Sequence, residues 1–597
     1  MDFKQKAEEK KMSMSKNIAR LAVTAGLTAA LSFGGVMAPV TMAFAEGKPV
    51  ATENGSVTIK EDIYTNTTFK GIQIFKATVT QNQKSEGVWD STGDKTLSDI
   101  EWANESVMNA VTSAFNADEP KPAGFPTGTD AKSAQAWAQF INQHSSEVTG
   151  ENVNAGSVLD KIAKALEGQT WTDAKAGTTG AFESIAAGYW LFETKSVGTT
   201  TGADGNKDAY TSPIFVVVGG EDVKVEPKKD VPNVTKAVKD DADGSFGDFT
   251  NPNKAADSGM DQFIDYQLTG TVASNINTYG EYYYEFKDEL PGTMSAELID
   301  GTEKPKVTVK INGDEVTSGY DATYENNVLK VVFNNLKACT CSSGSVTFNT
   351  GTKVTVEYKA KLDSSKIFEK GAVKAEFSGF VGVPQKNKVT LTYSNNPHTT
   401  DRGTTVEHPA YDYTYGIDVT KVGSETGNPH LADVEFTLQE QGDTENYIKA
   451  DGTKTPNKNQ ATLKTDASGK INVVGLDEGT YVLTEVKPAP GYDNSHSKGI
   501  TFTITRGSLP ADDTTVVNPG CTLASGTNED LVKVAQTNTE AADGKVHLTI
   551  VDQKGSGLPL TGLNGVTFTW IAGGAVLCIG VAHLIRSRKQ AEESEQE

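Results

Sequence analysis

Cysteine is scarce in this chain, with four residues among 597. Cys578 falls inside an apolar run near the C-terminus, and Cys339 and Cys341 are close enough to form only a small local ring. Cys521 has no obvious partner, and the sequence leaves the redox state of these last three residues open. Since secreted chains of this size commonly carry disulfides, a disulfide scaffold is excluded and another stabilising device is expected.

Recognisable catalytic motifs are also lacking. The seven histidines lie far apart, and there is no His-Glu-x-x-His motif, Gly-x-Ser-x-Gly elbow or phosphate-binding glycine loop. The segment Asp241-Ala242-Asp243-Gly244 lacks the remaining ligands of a calcium loop and is predicted to be a turn. We therefore predict no enzyme activity, no cofactor and no metal site.

Basic residues are too few to balance the acidic ones. The chain has 55 Lys and Arg against 78 Asp and Glu, which gives a net charge of −23. Such an acidic surface repels nucleic acids and anionic membranes, and it favours solubility. Nucleic-acid binding is excluded as a function.

The C-terminal 40 residues combine three signals. Leu558-Pro559-Leu560-Thr561-Gly562 precedes the apolar run from Val566 to Ile585, which as a helix would span about 30 Å, the thickness of a bilayer core. Arg586, Arg588 and Lys589 follow it, as the positive-inside rule requires. This order resembles the sorting signal that sortases read on Gram-positive cells. The resemblance implies cleavage after Thr561 and transfer of its carbonyl to an amine.

The N-terminus has the features of a secretory signal. Basic residues up to Arg20 precede the apolar stretch from Leu21 to Ala38, and Ala43-Phe44-Ala45 supplies the small residues of a cleavage site. We predict that signal peptidase cuts between Ala45 and Glu46.

Between these ends the hydrophobic pattern separates three blocks, and it predicts a mainly β chain. The first block mixes strand patterns, such as 71–75 and 214–218, with helical spacing at 136–141 and 158–166. The other two alternate as strands, and Val307–Ile311 runs into the hairpin signal Asn312-Gly313. The predicted boundaries are a signal peptide 1–45, an N-terminal domain with some helix 46–229, a middle β-sandwich 230–400, a third β-sandwich 401–557, the sorting motif 558–562, a transmembrane segment 563–585 and a cytoplasmic tail 586–597.

The third block contains the most specific internal motif. Asp418-Val419-Thr420-Lys421 opens it, Leu483-Thr484-Glu485-Val486-Lys487-Pro488-Ala489-Pro490-Gly491-Tyr492 lies in its middle, and Thr549-Ile550-Val551-Asp552 closes it. The block resembles a collagen-adhesin B-type (CnaB) domain, which has an immunoglobulin-like sandwich fold. The resemblance implies an intramolecular isopeptide bond, with Lys421 as nucleophile, Glu485 as catalytic acid and Asp552 as acceptor. Asp stands where pilins more often have Asn, so the product lost would be water.

Physical chemistry supports this assignment. An ammonium cannot attack a carbonyl, and apolar burial lowers the pKa of a lysine because it disfavours the charged form. The same burial raises the pKa of Glu485, which could then stay protonated and polarise the acceptor carbonyl. First and last strands must be neighbours for Lys421 to reach Asp552. The alternative is a buried salt bridge between these two residues.

The middle block resembles the second domain of fimbrial backbone subunits, which also makes a Lys–Asn bond. Val234-Thr235-Lys236 opens it, Phe286-Lys287-Asp288-Glu289 lies inside it and Asn387 begins its closing strand pattern. By position, Lys236 is the nucleophile, Asp288 the acid and Asn387 the acceptor. Glu289 and Asn395 remain alternatives for the acid and the acceptor.

The segment Val223-Lys224-Val225-Glu226-Pro227-Lys228 resembles the pilin motif, whose final lysine supplies the amine that sortase joins to the next subunit. Glu226 replaces the usual Tyr, and no Trp precedes it at the customary distance. Lys228 is the predicted donor, and Lys229 is a second candidate.

These resemblances imply a sortase-assembled pilus shaft subunit in which Thr561 is joined to Lys228 of a neighbour or to the cell wall. The implied partners are pilus-specific and housekeeping sortases, further copies of the chain, peptidoglycan, minor tip or base pilins and a host or glycan ligand. The implied location is the cell surface. The alternative function is a monomeric wall-anchored adhesin that binds such a ligand.

Overall fold

The computed structural model describes residues 48–555, apart from 61–63, 92–94, 151, 201–204, 228–230, 243, 350, 508 and 536–541. Strands dominate, and they assemble into paired sheets around separate hydrophobic cores along the chain. The prediction of a mainly β chain of tandem sandwich domains, with helix near the N-terminus, is confirmed.

The N-terminal region, up to Val225, is the only part of the described chain with long helices. Its helices are Glu105–Ser113, Ala134–Gln143 and Val158–Leu166, with a short 3-10 turn at Gly128–Asp130. Its strands are Lys48–Thr52, Asn54–Ile59, Tyr64–Thr65, Thr68–Ser85, Val88–Trp89, Thr96–Trp102, Val148–Thr149, Asn152–Val153, Thr172–Asp173, Ala181–Ala186, Gly188–Ser196, Thr199–Thr200, Ile214–Val218 and Val223–Val225.

Each of these helices begins at a polar capping residue. The side chains of Asn104, Ser133 and Ser157 accept hydrogen bonds from the free backbone N–H groups of the first turn. The apolar faces predicted by the i, i+4 spacing pack on the large sheet, where Trp137 and Ile162 are buried in one core. A smaller core lies between this sheet and the three-stranded sheet that contains Val223–Val225.

The middle region is a sandwich of an eight-stranded and a seven-stranded sheet. Its strands are Val234–Lys239, Ala255–Asp257, Ile264–Thr271, Tyr284–Glu289, Met294–Ala296, Val307–Ile311, Asp314–Ser318, Asp321–Glu325, Val328–Phe333, Thr340–Cys341, Gly344–Ser345, Lys353–Leu362, Phe368–Glu369, Ala372–Val373, Gln385–Ser394, Arg402–Thr404 and His408–Tyr413. The helix Ser364–Ile367 and the 3-10 turns Ile276–Thr278, Leu336–Ala338 and Ala375–Phe377 connect them.

Alternating burial along these strands puts one face of each sheet in the core. The hairpin predicted at Asn312-Gly313 is present, since both residues have positive φ and Ile311 pairs with Asp314. The seven-stranded sheet continues beyond residue 400, because His408–Tyr413 pairs with Gln385–Ser394. The middle sandwich therefore extends to Tyr413, past the boundary predicted from the sequence.

The third region is a sandwich of a four-stranded and a seven-stranded sheet. Its strands are Tyr415–Gly423, Glu435–Glu440, Tyr447–Ile448, Lys454–Thr455, Leu463–Lys464, Lys470–Leu476, Gly479–Lys487, Ile500–Thr505, Gly520–Leu523, Val532–Ala535 and Lys545–Asp552, with a 3-10 turn at Lys458–Ala461. The first strand, Tyr415–Gly423, runs parallel to the last, Lys545–Asp552, over the length of the last strand. Neighbouring first and last strands, which the isopeptide hypothesis requires, are therefore present.

The middle and third sandwiches touch at a pair of glycines. Gly544 has φ of +73°, and a Cβ at this position would lie 2.5 Å from the Cα of Gly382. The carbonyl of Gly382 accepts a hydrogen bond from Val517 N, and Gly544 O accepts one from Gly416 N. A side chain at residue 544 would push these two backbones apart.

We expect Gly544→Ala to destabilise the third sandwich and to loosen its contact with the middle one. Gly526→Ala is the matched control, because Gly526 also has positive φ but a Cβ added there would have no atom within 4 Å. Overpacking should cost about 1–3 kcal/mol beyond the backbone strain that both variants share. Calorimetric unfolding of the two variants measures the difference, and equal shifts would show that the glycine contact is unimportant.

Candidate functional site

The third sandwich buries a lysine between two carboxyl groups. Lys421 is on the first strand, Glu485 on the strand Gly479–Lys487 and Asp552 at the end of the last strand, and all three side chains are fully buried. Lys421 Nζ donates to Glu485 Oε2 at 2.9 Å and to Asp552 Oδ1. The ring of Phe436 lies 5.5 Å from the same ammonium.

Burial changes the acid–base properties of this cluster. Desolvation raises the pKa of Glu485 to about 7, and the positive charge of Lys421 opposes this shift. The second oxygens, Glu485 Oε1 and Asp552 Oδ2, are buried and have no hydrogen-bond partner among the described residues. His496 closes one side of the cluster, where Nε2 lies 2.9 Å from the carbonyl oxygen of Val551 and 3.7 Å from Asp552 Oδ1.

The middle sandwich contains a second cluster of the same kind. Lys236 is on the first strand and donates to Asp288 Oδ1 and, at 3.0 Å, to the hydroxyl of Tyr358. Asn387 Nδ2 donates to the same hydroxyl at 2.8 Å, and this hydroxyl donates to Asp288 Oδ2. The structure therefore brings together the three residues that the sequence proposed for this domain.

Alternating burial explains why these polar groups meet. Lys236 and Tyr358 point inward from one sheet, whereas Asp288 and Asn387 point inward from the other. Desolvation lowers the pKa of Lys236 to about 8, against the opposing charge of Asp288. Desolvation likewise raises the pKa of Asp288, against the charge of Lys236. The two groups are thus brought closer in proton affinity, which makes proton transfer between them easier.

The two alternative residues for the middle sandwich lie elsewhere. Glu289 points away from the core, where it pairs with Lys287 and, at 3.3 Å, with Lys388. Asn395 lies against the N-terminal region, and its Nδ2 donates to the carbonyl oxygen of Asp208 at 3.2 Å. Neither residue contacts Lys236 through a hydrogen bond or ion pair that joins described residues.

Sequence reasoning missed Tyr358. A signal was available, because Val354, Val356 and Tyr358 alternate along one strand pattern and so face the same side. A hydroxyl in an inward apolar row needs a polar partner. The pattern therefore indicates a buried polar cluster around Tyr358, but it does not identify the residues that bond its hydroxyl.

In both clusters the arrangement is compatible with amide formation. Each lysine nitrogen is hydrogen-bonded to a carboxyl group that can take its proton. Each cluster also contains the proposed acceptor group, the amide of Asn387 or the carboxyl of Asp552. A salt bridge alone would leave charges buried in an apolar core, which is costly.

A third group of titratable residues lies between the N-terminal and middle regions. Glu167, Glu193 and His398 each offer one potential metal-ligand atom, and these three atoms lie within 4.8 Å of one another. Lys70 Nζ lies 2.6 Å from Glu167 and 3.6 Å from the buried Glu193, whose pKa is raised by desolvation and by Glu167. Because an ammonium already supplies positive charge here, we interpret the group as an ion-pair network.

Several predicted residues lie outside the described part of the chain. They are Ala45, Glu46, Lys228, Lys229, Leu558, Pro559, Leu560, Thr561 and Gly562. Within the described residues, no helix is long and apolar enough to cross a membrane, and the segment 563–585 is not among them.

Cys339, Cys341 and Cys521 are free thiols, and burial raises the pKa of Cys339 and of Cys521 to about 11.

Comparison with known proteins agrees with the geometry of the third sandwich. Residues 416–518 match the SpaA domain, described as a prealbumin-like fold domain. The match falls in the block where a CnaB-type sandwich was predicted from the sequence, and it supports a prealbumin-like fold for that block. No curated protein matches the chain significantly in sequence.

Solved structures similar to the chain include three Gram-positive pilins. The T6 backbone pilin of serotype M6 Streptococcus pyogenes is 14% identical, with 84% of this chain and 98% of that chain covered and a TM-score of 0.45. The major pilin SpaD of Corynebacterium diphtheriae is 14% identical, with 84% and 97% covered and a TM-score of 0.39. The major pilin BcpA of Bacillus cereus is 16% identical, with 64% and 89% covered and a TM-score of 0.35.

We expect Asp288→Asn to prevent cross-linking of the middle sandwich, because it removes the group that accepts the proton of Lys236. Glu289→Gln is the matched control, since it makes the same chemical change on the adjacent residue outside the cluster. Mass spectrometry of tryptic peptides should find a Lys236–Asn387 linked peptide in the control and only separate peptides in Asp288→Asn. A linked peptide of normal yield in Asp288→Asn would remove Asp288 from the mechanism.

Proposed function

We propose that this chain is the shaft subunit of a covalently polymerised cell-surface pilus, whose middle and third domains carry internal isopeptide bonds. The observation that carries the proposal is the pair of buried lysine clusters in successive sandwiches. In the third sandwich, Lys421 of the first strand donates to Asp552 of the last strand. In the middle sandwich, Lys236 of the first strand and Asn387 both donate to the hydroxyl of Tyr358. Internal isopeptide bonds suit a protein that bears tension along its length.

In the third domain, the proposed reaction joins Lys421 Nζ to Cγ of Asp552. The lysine gives a proton to a carboxylate of the cluster, and the resulting amine attacks Cγ. The C–N bond forms, a C–O bond of Asp552 breaks, and the oxygen leaves with two protons as water. Glu485, whose pKa is raised to about 7, can hold a proton near neutral pH and donate it to the departing oxygen.

In the middle domain, Lys236 Nζ would attack Cγ of Asn387 after transferring a proton to Asp288. The new amide replaces the side-chain amide of Asn387, and ammonia leaves. The two domains therefore use different acceptors but the same arrangement of a buried lysine beside a buried acid.

The mechanical consequence follows from which strands are joined. A bond from Lys421 to Asp552 lets force pass directly between the parallel first and last strands, so the strands between them carry no load. A bond from Lys236 to Asn387 similarly excludes residues 237–386 from the load path. Pulling on the termini then cannot unzip the strands that lie between the two bonded residues of each domain.

Assembly is proposed from the sequence motifs. A sortase cysteine would attack the carbonyl of Thr561 and release Gly562 onward, and Lys228 of a neighbouring subunit would resolve the acyl-enzyme. Lys228 lies in sequence between the strand Val223–Val225 and the strand that carries Lys236. An amine of the wall precursor would end the fibre. The alternative, a monomeric wall-anchored adhesin, needs the same sorting motif but no lysine donor.

We expect Lys228→Ala to abolish the ladder of high-mass polymers in wall extracts while monomer remains attached to the wall. Lys229→Ala is the matched control and should leave the ladder unchanged, because only one amine reaches the sortase acyl-enzyme. Immunoblots of wall extracts from cells expressing each variant make the comparison. If the ladder persists in both single variants and in the double variant, the shaft function is wrong and the adhesin is favoured.

A further inference from the structure

The hydroxyl of Tyr358 occupies the centre of the middle-domain cluster. Its oxygen accepts hydrogen bonds from Lys236 Nζ at 3.0 Å and from Asn387 Nδ2 at 2.8 Å, and its proton is donated to Asp288 Oδ2. It is thus bonded to the nucleophile, to the nitrogen that must leave and to the acid. Among the described hydrogen bonds, the side-chain nitrogen of Asn387 has this hydroxyl as its partner.

Loss of ammonia from an amide depends more strongly on protonation of the leaving group than loss of water from a protonated acid does. An amide nitrogen is a very poor leaving group unless it first gains a proton. In the structure, Asp288 is hydrogen-bonded to Lys236 and Tyr358, whereas Asn387 Nδ2 is hydrogen-bonded to Tyr358. A proton therefore needs a route to Nδ2, and the hydroxyl lies on that route.

We propose that Tyr358 is a catalytic residue of the middle domain, which relays a proton from the attacking lysine nitrogen to the departing nitrogen of Asn387. This inference rests on the proposed isopeptide bond between Lys236 and Asn387. Such a role is absent from the third domain's cluster, where the described hydrogen-bond partners of Lys421 Nζ are two carboxyl groups.

The protons balance in this scheme. Of the three protons on Lys236 Nζ, the first passes to the Asp288 carboxylate and leaves a neutral amine. Once Asp288 is protonated and the amine has attacked Cγ, the Tyr358 hydroxyl turns its proton from Asp288 Oδ2 towards Nδ2 of Asn387. The second lysine proton then passes to the Tyr358 oxygen as the tyrosine's own proton moves to Nδ2. The Cγ–Nδ2 bond then breaks and ammonia leaves, while the third proton stays on the new amide. Tyr358 ends as it began, and Asp288 ends protonated.

The surroundings of Tyr358 suit a relay. Its strand, Lys353–Leu362, is paired along Ile264–Thr271 on one side and along Val307–Ile311 on the other, which fixes the backbone. Its ring stacks on that of Tyr266 with centroids 5.4 Å apart and planes 14° apart. Burial raises the pKa of Tyr358 well above its ordinary value, so the hydroxyl keeps its proton before the reaction and can both donate and accept.

The test compares Tyr358→Phe with Tyr284→Phe in the whole secreted chain. Tyr284 is the matched control because it is also buried in the middle sandwich, and its hydroxyl donates to the carbonyl oxygen of Thr271 at 2.7 Å, outside the cluster. Freshly made chains are incubated, and the loss of one ammonia is followed by intact-mass spectrometry. We expect bond formation in Tyr358→Phe to be slower by about 100-fold or more, the size typical of general acid–base catalysis, and that in Tyr284→Phe to match the wild type.

The unlinked variant Lys236→Met separates catalysis from folding. Slow ammonia loss in Tyr358→Phe, with protease resistance of the middle domain equal to that of Lys236→Met, supports the relay. Ammonia loss at the wild-type rate overturns it, and so does a middle domain that is digested faster than that of Lys236→Met, since the hydroxyl would then serve only the fold. A wild-type chain that never loses ammonia would instead refute the proposed bond itself.

Discussion

A lysine ammonium held beside carboxyl groups inside an apolar sandwich is the interaction on which the rest of this structure depends. Burying charges costs several kcal/mol per ion, and attraction between them repays this only when the geometry is good. Burial shifts the pKa of Lys236 to about 8 and that of Glu485 to about 7, so both are less firmly charged than in water. Formation of an amide would remove the lysine's charge altogether. The same burial that makes the pair costly therefore also prepares it to react.

The proposed isopeptide bonds would account for the shortage of cysteine. A covalent link between distant parts of each sandwich would limit the unfolded chain much as a disulfide does, by about 5 kcal/mol for a loop of a hundred residues or more. Unlike a disulfide, an amide does not depend on redox conditions. The links between domains are of another kind, since Arg506 of the third sandwich bonds Asp240 at 2.6 Å and Asp257 at 2.8 Å in the middle one. The proposed covalent bonds lie within domains, whereas the observed ion pairs of Arg506 lie between them.

Much of this architecture could be predicted from the sequence, and the remainder could not for physical reasons. Period-2 alternation identified the strands at Val307 and at Asn387, and helical spacing identified Val158–Leu166, because burial of one face produces those periods. Lys421, Glu485 and Asp552 were found through a specific motif, and they meet in the structure. Tyr358 was missed because its role depends on facing residues from another sheet, which a local pattern does not specify. The end of the middle sandwich at Tyr413 was missed for the same reason, since strand pairing decides it.

The most direct test of this account is the intact mass of the wild-type segment from Glu46 to Thr561. If both clusters react, the measured mass is lower than the sequence mass by one ammonia and one water, and digestion with trypsin yields one linked peptide from each sandwich. A mass equal to that of the unmodified sequence would contradict the account, because both lysine clusters would then be buried ion pairs and nothing more.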